Sequence, residues 1–251
     1  MEDLQLLVDL HIGGARQGPG SPSATRRAME LAGLKGKQGL RIADIGSGTG
    51  AASLVLAQDL DAQIIAVDFL PKFLTELENR AVSDGLAGRI ETLPASMETL
   101  PFQDNELDVI WSEGAIYNIG FEAGLRAWRR FLKPGGILAV SELTWLTQER
   151  PKSLTDHWET AYPEVGLASE KLAHLEATGY EVLGYFPLSQ DCWLDMYYGP
   201  MQQRFPAFLD KHAHSEHAQA LVAAEQAEIA LYEENAAYVS YGFYVARKLP
   251  D

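Results

Sequence analysis

Residues 41–50, Arg41-Ile42-Ala43-Asp44-Ile45-Gly46-Ser47-Gly48-Thr49-Gly50, decide how the rest of the chain is read. Arg41–Ile45 has the length and β-branched content of a buried strand, and the alternating glycines punctuate it before a helix-compatible run, Ala51 to Gln58. Glycines let the backbone turn tightly and approach a ligand without intervening side chains. The helix behind the turn presents unpaired N–H groups to whatever lies in front of it. Gly46-x-Gly48-x-x-Ala51 therefore fits the loose dinucleotide fingerprint. Two acids redirect that reading. Asp44 places a carboxylate beside the loop, where it repels a pyrophosphate but not a cation. Ile64–Val67 forms a second strand ending in Asp68, an acid placed to accept hydrogen bonds from both ribose hydroxyls. The pair suits a positively charged nucleoside.

The 251-residue chain has room for one large α/β domain with an insertion, and its 47% apolar content suffices for a full core. No apolar run is long enough to span a bilayer and no cleavable leader is evident, so no membrane association is expected and the cytoplasm is the expected location. The single cysteine, Cys192, excludes an internal disulfide framework and a multi-cysteine zinc site. A formal charge of −15 without a basic stripe argues against nucleic acid as partner. A homodimer is compatible with this composition.

Outward from the glycine loop, Leu4, Leu6, Leu7, Leu10 and Ile12 are spaced as a short amphipathic helix that Gly13-Gly14 ends. Arg16-Gln17-Gly18-Pro19-Gly20-Ser21 is irregular, and Ser23 is the expected cap of a helix from Ala24 to Leu31. Pro71 to Asp84 carries a helical apolar stripe, Arg89–Leu93 reads as the third strand, and Glu106–Trp111 as the fourth. Ser112–Asn118 follows at the carboxyl end, where open parallel sheets bind ligands. Gly124 to Leu132 reads as a helix stopped by Lys133-Pro134-Gly135-Gly136, and Ile137–Val140 as the fifth strand. A helix at Glu170–Thr178 and strands at Tyr180–Phe186 and Tyr241–Arg247 complete the pattern, with a helical insertion at about 187–238.

With the glycine loop, the acid after the second strand and the LKPGG step in this order, residues 40–145 resemble the class I S-adenosylmethionine-dependent methyltransferases, in particular the small-molecule, ubiquinone-biosynthesis-like branch. More narrowly, RQGPGS (16–21), WSEGAIYNIGFE (111–122) and the Ser141-Glu142, Trp145 and Glu149-Arg150-Pro151 run resemble a bacterial subgroup of that family. The resemblance implies a Rossmann-like α/β fold: a doubly wound, mostly parallel seven-stranded sheet whose last strand inserts antiparallel between the fifth and sixth. It implies S-adenosylmethionine as cofactor and residues 1–39 as a helical lid segment ahead of a methyltransferase domain, 40–251. Arg16 and Gln17 then reach the substrate.

The implied cofactor contacts are Asp44, Gly46, Ser47, Gly48, Thr49, Gly50, Asp68, Phe69, Ser96, Met97, Ser112 and Glu113. Ser96 stands where most relatives carry an aspartate, so the Met97 N–H and apolar contact from Phe69 and Met97 are expected to hold the adenine. Methyl transfer is an in-line displacement that depends on alignment and exclusion of water. Glu113 is the first candidate for a base and Tyr117 the second. Trp145, Tyr162, Trp193 and Tyr197 are candidate substrate walls, and would cage a cationic acceptor. His212-x-His214-x-x-His217 is weakly metal-like, but only His214 and His217 share a helical face, and no metal is expected. The alternatives are an NAD-dependent oxidoreductase, disfavoured by Asp44 and the antiparallel last strand, and a cofactor-binding protein without turnover.

Overall fold

The sheet is built around β1 (Leu40–Ile45), whose alternate residues Ile42 and Ala43 face opposite ways into two separate apolar layers. The computed structural model describes residues 2–250; Met1 and Asp251, the ends of the two segments expected above, lie outside it. The remaining strands are β2 (Ala62–Asp68), β3 (Ile90–Pro94), β4 (Leu107–Glu113), β5 (Leu132–Trp145), β6 (Gly166–Leu167), β7 (Tyr180–Pro187) and β8 (Val239–Lys248). The main path runs β3-β2-β1-β4-β5-β8-β7, with the two-residue β6 beside the end of β5. Only β8 runs against its neighbours, antiparallel to both β5 and β7. This is the expected seven-stranded path with its inserted last strand, plus a short extra strand.

Helices cover both faces: α1 (Glu2–His11), α2 (Pro22–Leu31), α3 (Ala51–Asp59), α4 (Pro71–Ser83), α5 (Phe121–Arg129), α6 (Lys152–Ala161), α7 (Ala168–Ala177), α8 (Gln190–Trp193), α9 (Gly199–Lys211) and α10 (Glu216–Asn235). The chain steps from β1 to β2 on one side and to β4 on the other, which opens a crevice beyond their carboxyl ends. No helix among the described residues is long and apolar enough to cross a membrane.

Three local readings are corrected. Ser21, not Ser23, caps α2: its Oγ accepts from Ala24 N at 3.1 Å, and Pro22 takes the first helical position, where a missing N–H costs nothing. α5 starts at Phe121 rather than Gly124, because Glu164, 43 positions downstream, accepts the Phe121 N–H at 2.8 Å. Lys133–Gly136 does not stop a helix before the strand; it bulges within β5, shifting the pairing from Leu107–Leu132 to Val109–Ile137.

Residues 187–238 hold α8, α9 and α10. α8 and α9 are one rod joined by a π-helical turn, Leu194–Tyr198, in which the Gly199 N–H reaches back to the Leu194 carbonyl. The wider turn inserts one residue into the helical phase. In consequence adjacent Tyr197 and Tyr198 both face inward, against α1 and α10.

Candidate active site

At the carboxyl end of β1 the glycine loop satisfies its own N–H groups. Gly46 and Ser47 donate to the Val67 carbonyl, Gly48 to Asp68 Oδ2 at 2.8 Å, Thr49 to Gln17 Oε1 at 2.8 Å, and Gly50 to the Ser47 carbonyl. No loop donor is left over for a pyrophosphate, which counts against the dinucleotide reading. Gly46 has φ +75° and lies against the Ala115 side chain, so a Cβ there would be both strained and obstructed. Gly48 has φ +55° and is covered by the Gln17 amide.

Two acids face this loop. Asp44 is buried, accepts from Ser53 Oγ at 2.6 Å, and is pushed up to about 7 by burial, reinforced by the nearby charges of Glu113 and Asp68. Asp68 Oδ1 accepts from Leu70 N at 2.8 Å, and burial raises its pKa as well. Each Asp68 oxygen has one acceptor position to spare. These face a crevice of about 590 Å³ that Phe69, Ser96 and Met97 also line. Phe69 is 70% exposed, a flat apolar face at the crevice mouth. Trp128 Nε1 donates to the Met97 carbonyl at 3.0 Å, which fixes that loop, and the Met97 N–H has no partner among the described residues. Ser96 Oγ accepts from Glu98 N at 3.3 Å. Ser112 Oγ is turned away, donating to the Ile45 carbonyl at 2.8 Å, and so joins β4 to β1 instead of lining the crevice.

The strap between α1 and α2 closes over the loop. Gln17 is fastened to Thr49 by both ends of its amide, while Arg80 from α4 donates to the Gly14 carbonyl at 3.0 Å and to Thr49 Oγ1 at 2.9 Å. Arg16 forms a buried ion pair with Glu113, whose other oxygen accepts from Thr25 at 2.6 Å and from Trp111 Nε1 at 3.0 Å. Three side-chain donors thus converge on Glu113. Glu113 anchors the strap, and its Oε2, bonded to Arg16 alone, keeps one acceptor position at the cavity that Glu113 lines. Beneath the strap a cavity of about 80 Å³ is lined by Asp44, Ser47, Ala51 and Arg16. Ser47 Oγ is buried there without a protein partner. α2, expected as part of the lid, packs against α3 and β8 and reaches the site through Thr25.

A second chamber, about 210 Å³, opens off the same strap and shares Gln17, Gly114, Tyr117, Tyr197 and Glu225 with the crevice. Tyr117, on a 3-10 turn at Ile116–Asn118, meets Tyr162 edge to face at 5.9 Å. Trp193 and Tyr241 form a second such pair at 5.1 Å. Trp145, proposed as a wall, sits in the core with Arg150 over its ring at 4.1 Å and lines neither space. Its place on the buried strand β5 keeps it in the sheet's apolar layer. Below Tyr162 the Glu142 carboxyl is buried and pushed up to about 7 by desolvation, with Lys171 Nζ 3.6 Å away.

Residues 43–140 match the model of a methyltransferase domain. The chain is similar to the Pseudomonas putida ubiquinone/menaquinone biosynthesis C-methyltransferase UbiE, 32% identical over 162 residues, 63% of this chain and 61% of that protein. It spans about three fifths of the length of the curated methyltransferases it matches. A Geobacter sulfurreducens methyltransferase solved with S-adenosyl-L-homocysteine superposes with a TM-score of 0.84 at 20% identity, over 96% of this chain and 97% of that one. The (4+2)-cyclase SpnF superposes with a TM-score of 0.73 at 26% identity, over 93% and 84%.

In this chain, sequence reasoning missed Trp158, Tyr241, Glu225 and Glu228, all of which line the second chamber. The acids carried a signal: Glu225 and Glu228 are three apart on α10 and alternate with the inward residues Val222, Ile229 and Tyr232. The histidine run is divided between partners, His212 facing Asp9 at 3.3 Å and His214 facing Asp210 at 3.0 Å. No group of metal-binding side chains occurs among the described residues.

Proposed function

We propose that this protein transfers a methyl group from S-adenosylmethionine to a small-molecule acceptor. The observation that carries the reading is the junction of two unlike spaces at Gly114 and Tyr117: a crevice bounded by Asp44 and Asp68, and an aromatic chamber. The residues fit the donor. Asp68 keeps acceptor positions suited to a ribose diol, the Met97 N–H and the Phe69 face suit a purine, and the unpartnered Ser47 hydroxyl beside Asp44 suits an amino-acid end. When bound, the donor supplies an electrophilic methyl group on a sulfonium.

The chain's own contribution is placement. Gln17, Arg16 and Arg80 hold the strap that separates the junction from water, and Gly114, with no side chain, leaves the passage between the two spaces open. Tyr117 borders both spaces, and burial raises its pKa, so it acts as a neutral hydroxyl. The strap and the chamber are described for this chain alone; neither nucleic acid nor a membrane is part of the proposed reaction.

Calorimetry against S-adenosylmethionine and NAD tests the donor, and a methyl-transfer assay over a metabolite library, read by mass gain, tests the turnover. Binding of NAD in preference would overturn the reading. The likeness to a cyclase favours one second reading, a donor-binding protein that performs another reaction on this fold. Donor binding without mass gain on any acceptor would select it.

A further inference from the structure

We propose that the acceptor is a small aliphatic amine, taken as its ammonium ion into the chamber walled by Tyr117, Tyr162, Trp193, Tyr197 and Tyr241 and facing Glu225 and Glu228. This rests on the methyl-transfer reading and gives that reading its substrate class.

The charge inventory of the chamber decides it. Among the described residues that line it there is no lysine or arginine, while α10 contributes two carboxylates. Glu225 faces His11 Nε2 at 3.6 Å, so one imidazole offsets at most one of them. Glu228 accepts a bond from the Tyr198 hydroxyl at 2.8 Å, a neutral donor, and the cationic group that acts on it is the same His11 imidazole, so two carboxylates share one imidazole. Burial and the neighbouring Glu225 charge raise the Glu228 pKa. A desolvated carboxylate without a cation is unfavourable, and a ligand that brings one relieves it. A phosphate or carboxylate on the acceptor would worsen the imbalance.

The walls agree with the charge. Aromatic faces attract an alkylammonium through their quadrupoles, and a ring of them tolerates its methyl groups better than water does. The Tyr197 and Tyr241 hydroxyls have no hydrogen-bond partner among the described residues, and burial keeps both protonated. Each has lone pairs for an N–H donor. The volume, about 210 Å³, compares with roughly 150 Å³ for a cavity that holds benzene, so a molecule of about eight heavy atoms fits. Apart from Gly114 and Tyr117, the groups named here lie outside residues 43–140, so the match to a methyltransferase domain does not bear on them.

Transfer balances with these groups alone. The ammonium gives a proton to Glu228, and the freed nitrogen lone pair forms the N–C bond as the donor's C–S bond breaks. The bonding pair stays on sulfur, which becomes a neutral thioether, and the product carries the positive charge on nitrogen.

The test uses the full chain with and without S-adenosyl-L-homocysteine. Titrating choline and its uncharged carbon isostere, dimethylbutanol, should show choline binding at least about tenfold more tightly, as a desolvated cation–aromatic and carboxylate site requires. Glu225→Gln, which leaves the Tyr198 bond in place, should reduce that preference, and Glu225→Gln with Glu228→Gln should abolish it. Thermal unfolding of each variant, with the donor site loaded, confirms folding. Equal affinities, or a preference for the isostere, would overturn the proposal. In turnover, dimethylaminoethanol should gain one methyl group on nitrogen. Methylation of a phenol or quinol instead would overturn the amine assignment and leave methyl transfer standing, whereas absence of S-adenosylmethionine binding would overturn the reading beneath it.

Discussion

The donor crevice and the acceptor chamber share the strap, Gly114, Tyr117, Tyr197 and Glu225 but are otherwise made in different ways. In the crevice the contacts are main-chain bonds around two neighbouring strand ends, with Asp68 holding Gly48 and Leu70 and the Val67 carbonyl holding Gly46 and Ser47. The chamber has almost no main-chain component: its rings come from Tyr117, Tyr162, Trp193, Tyr197 and Tyr241, and its acids from α10. A short motif can specify the first. The second exists only after the whole chain has folded, so its chemistry is free to vary while the crevice stays fixed.

The sharpest way to break the comparison is at the strap that serves both regions. Arg16→Ala leaves Glu113 without its buried counter-ion, and we expect about 3 kcal/mol of lost stability in urea unfolding. Glu113→Gln in the same chain should restore part of it. A smaller loss would mean that Thr25 and Trp111 alone hold the Glu113 charge.

Asp68→Ala comes next. Removing two charged acceptor positions should weaken S-adenosylmethionine binding by about 100-fold, at roughly 1.5 kcal/mol or more for each hydrogen bond to a charged group. Choline binding in the chamber should stay within about twofold if the regions are independent sites. An equal loss of both ligands would show that the crevice supports the chamber mechanically.

A third effect is a pH dependence of donor binding. Asp44 is pushed up to about 7, and a cationic donor favours its ionised form, so donor binding below that pH must expel a proton. Affinity should therefore fall by about tenfold per unit below pH 7 and level off above it. Calorimetry in two buffers of different ionisation heat reads the proton directly, and Asp44→Asn should abolish it. In the unliganded protein the sign is the reverse: the neutral form is favoured by folding, so this group's contribution to stability is complete below its unfolded value of 3.8 and disappears as pH rises through 7. The smallest effect is expected far from both sites, where His217→Ala on the exposed start of α10 should change stability by less than about 0.5 kcal/mol and leave zinc without effect on melting.

What the sequence disclosed follows the same division. Strands β1, β2 and β4 were legible because short apolar runs lead to Asp44, Asp68 and Ser112-Glu113, and the loop after β1 announces itself by its glycines. Helix starts that depend on distant partners were not legible, as with Phe121 and Glu164. Nor was the role of Glu113, since Arg16 is 97 positions away and no local pattern shows the pairing. Tyr162, Trp193 and Tyr197 were found as aromatics without a place, and Trp145 was grouped with them because composition cannot tell a ring in a buried strand from one at a cavity. The π-turn that brings Tyr197 inward leaves no periodic trace, because it is a break in the period itself.

β8 sets a rule for how such a chain can diversify. Its pairing on both sides is continuous near the chamber, Tyr241 opposite Leu143, and Gly242 opposite both Glu142 and Pro187. A strand repeats every two residues, so a single insertion or deletion there would swap every side chain between the two faces of the sheet and replace the Tyr241 ring by its neighbour. Change of acceptor is thus restricted in β8 to exchanges at constant length, while gains and losses of residues are left to the connections around α8, α9 and α10.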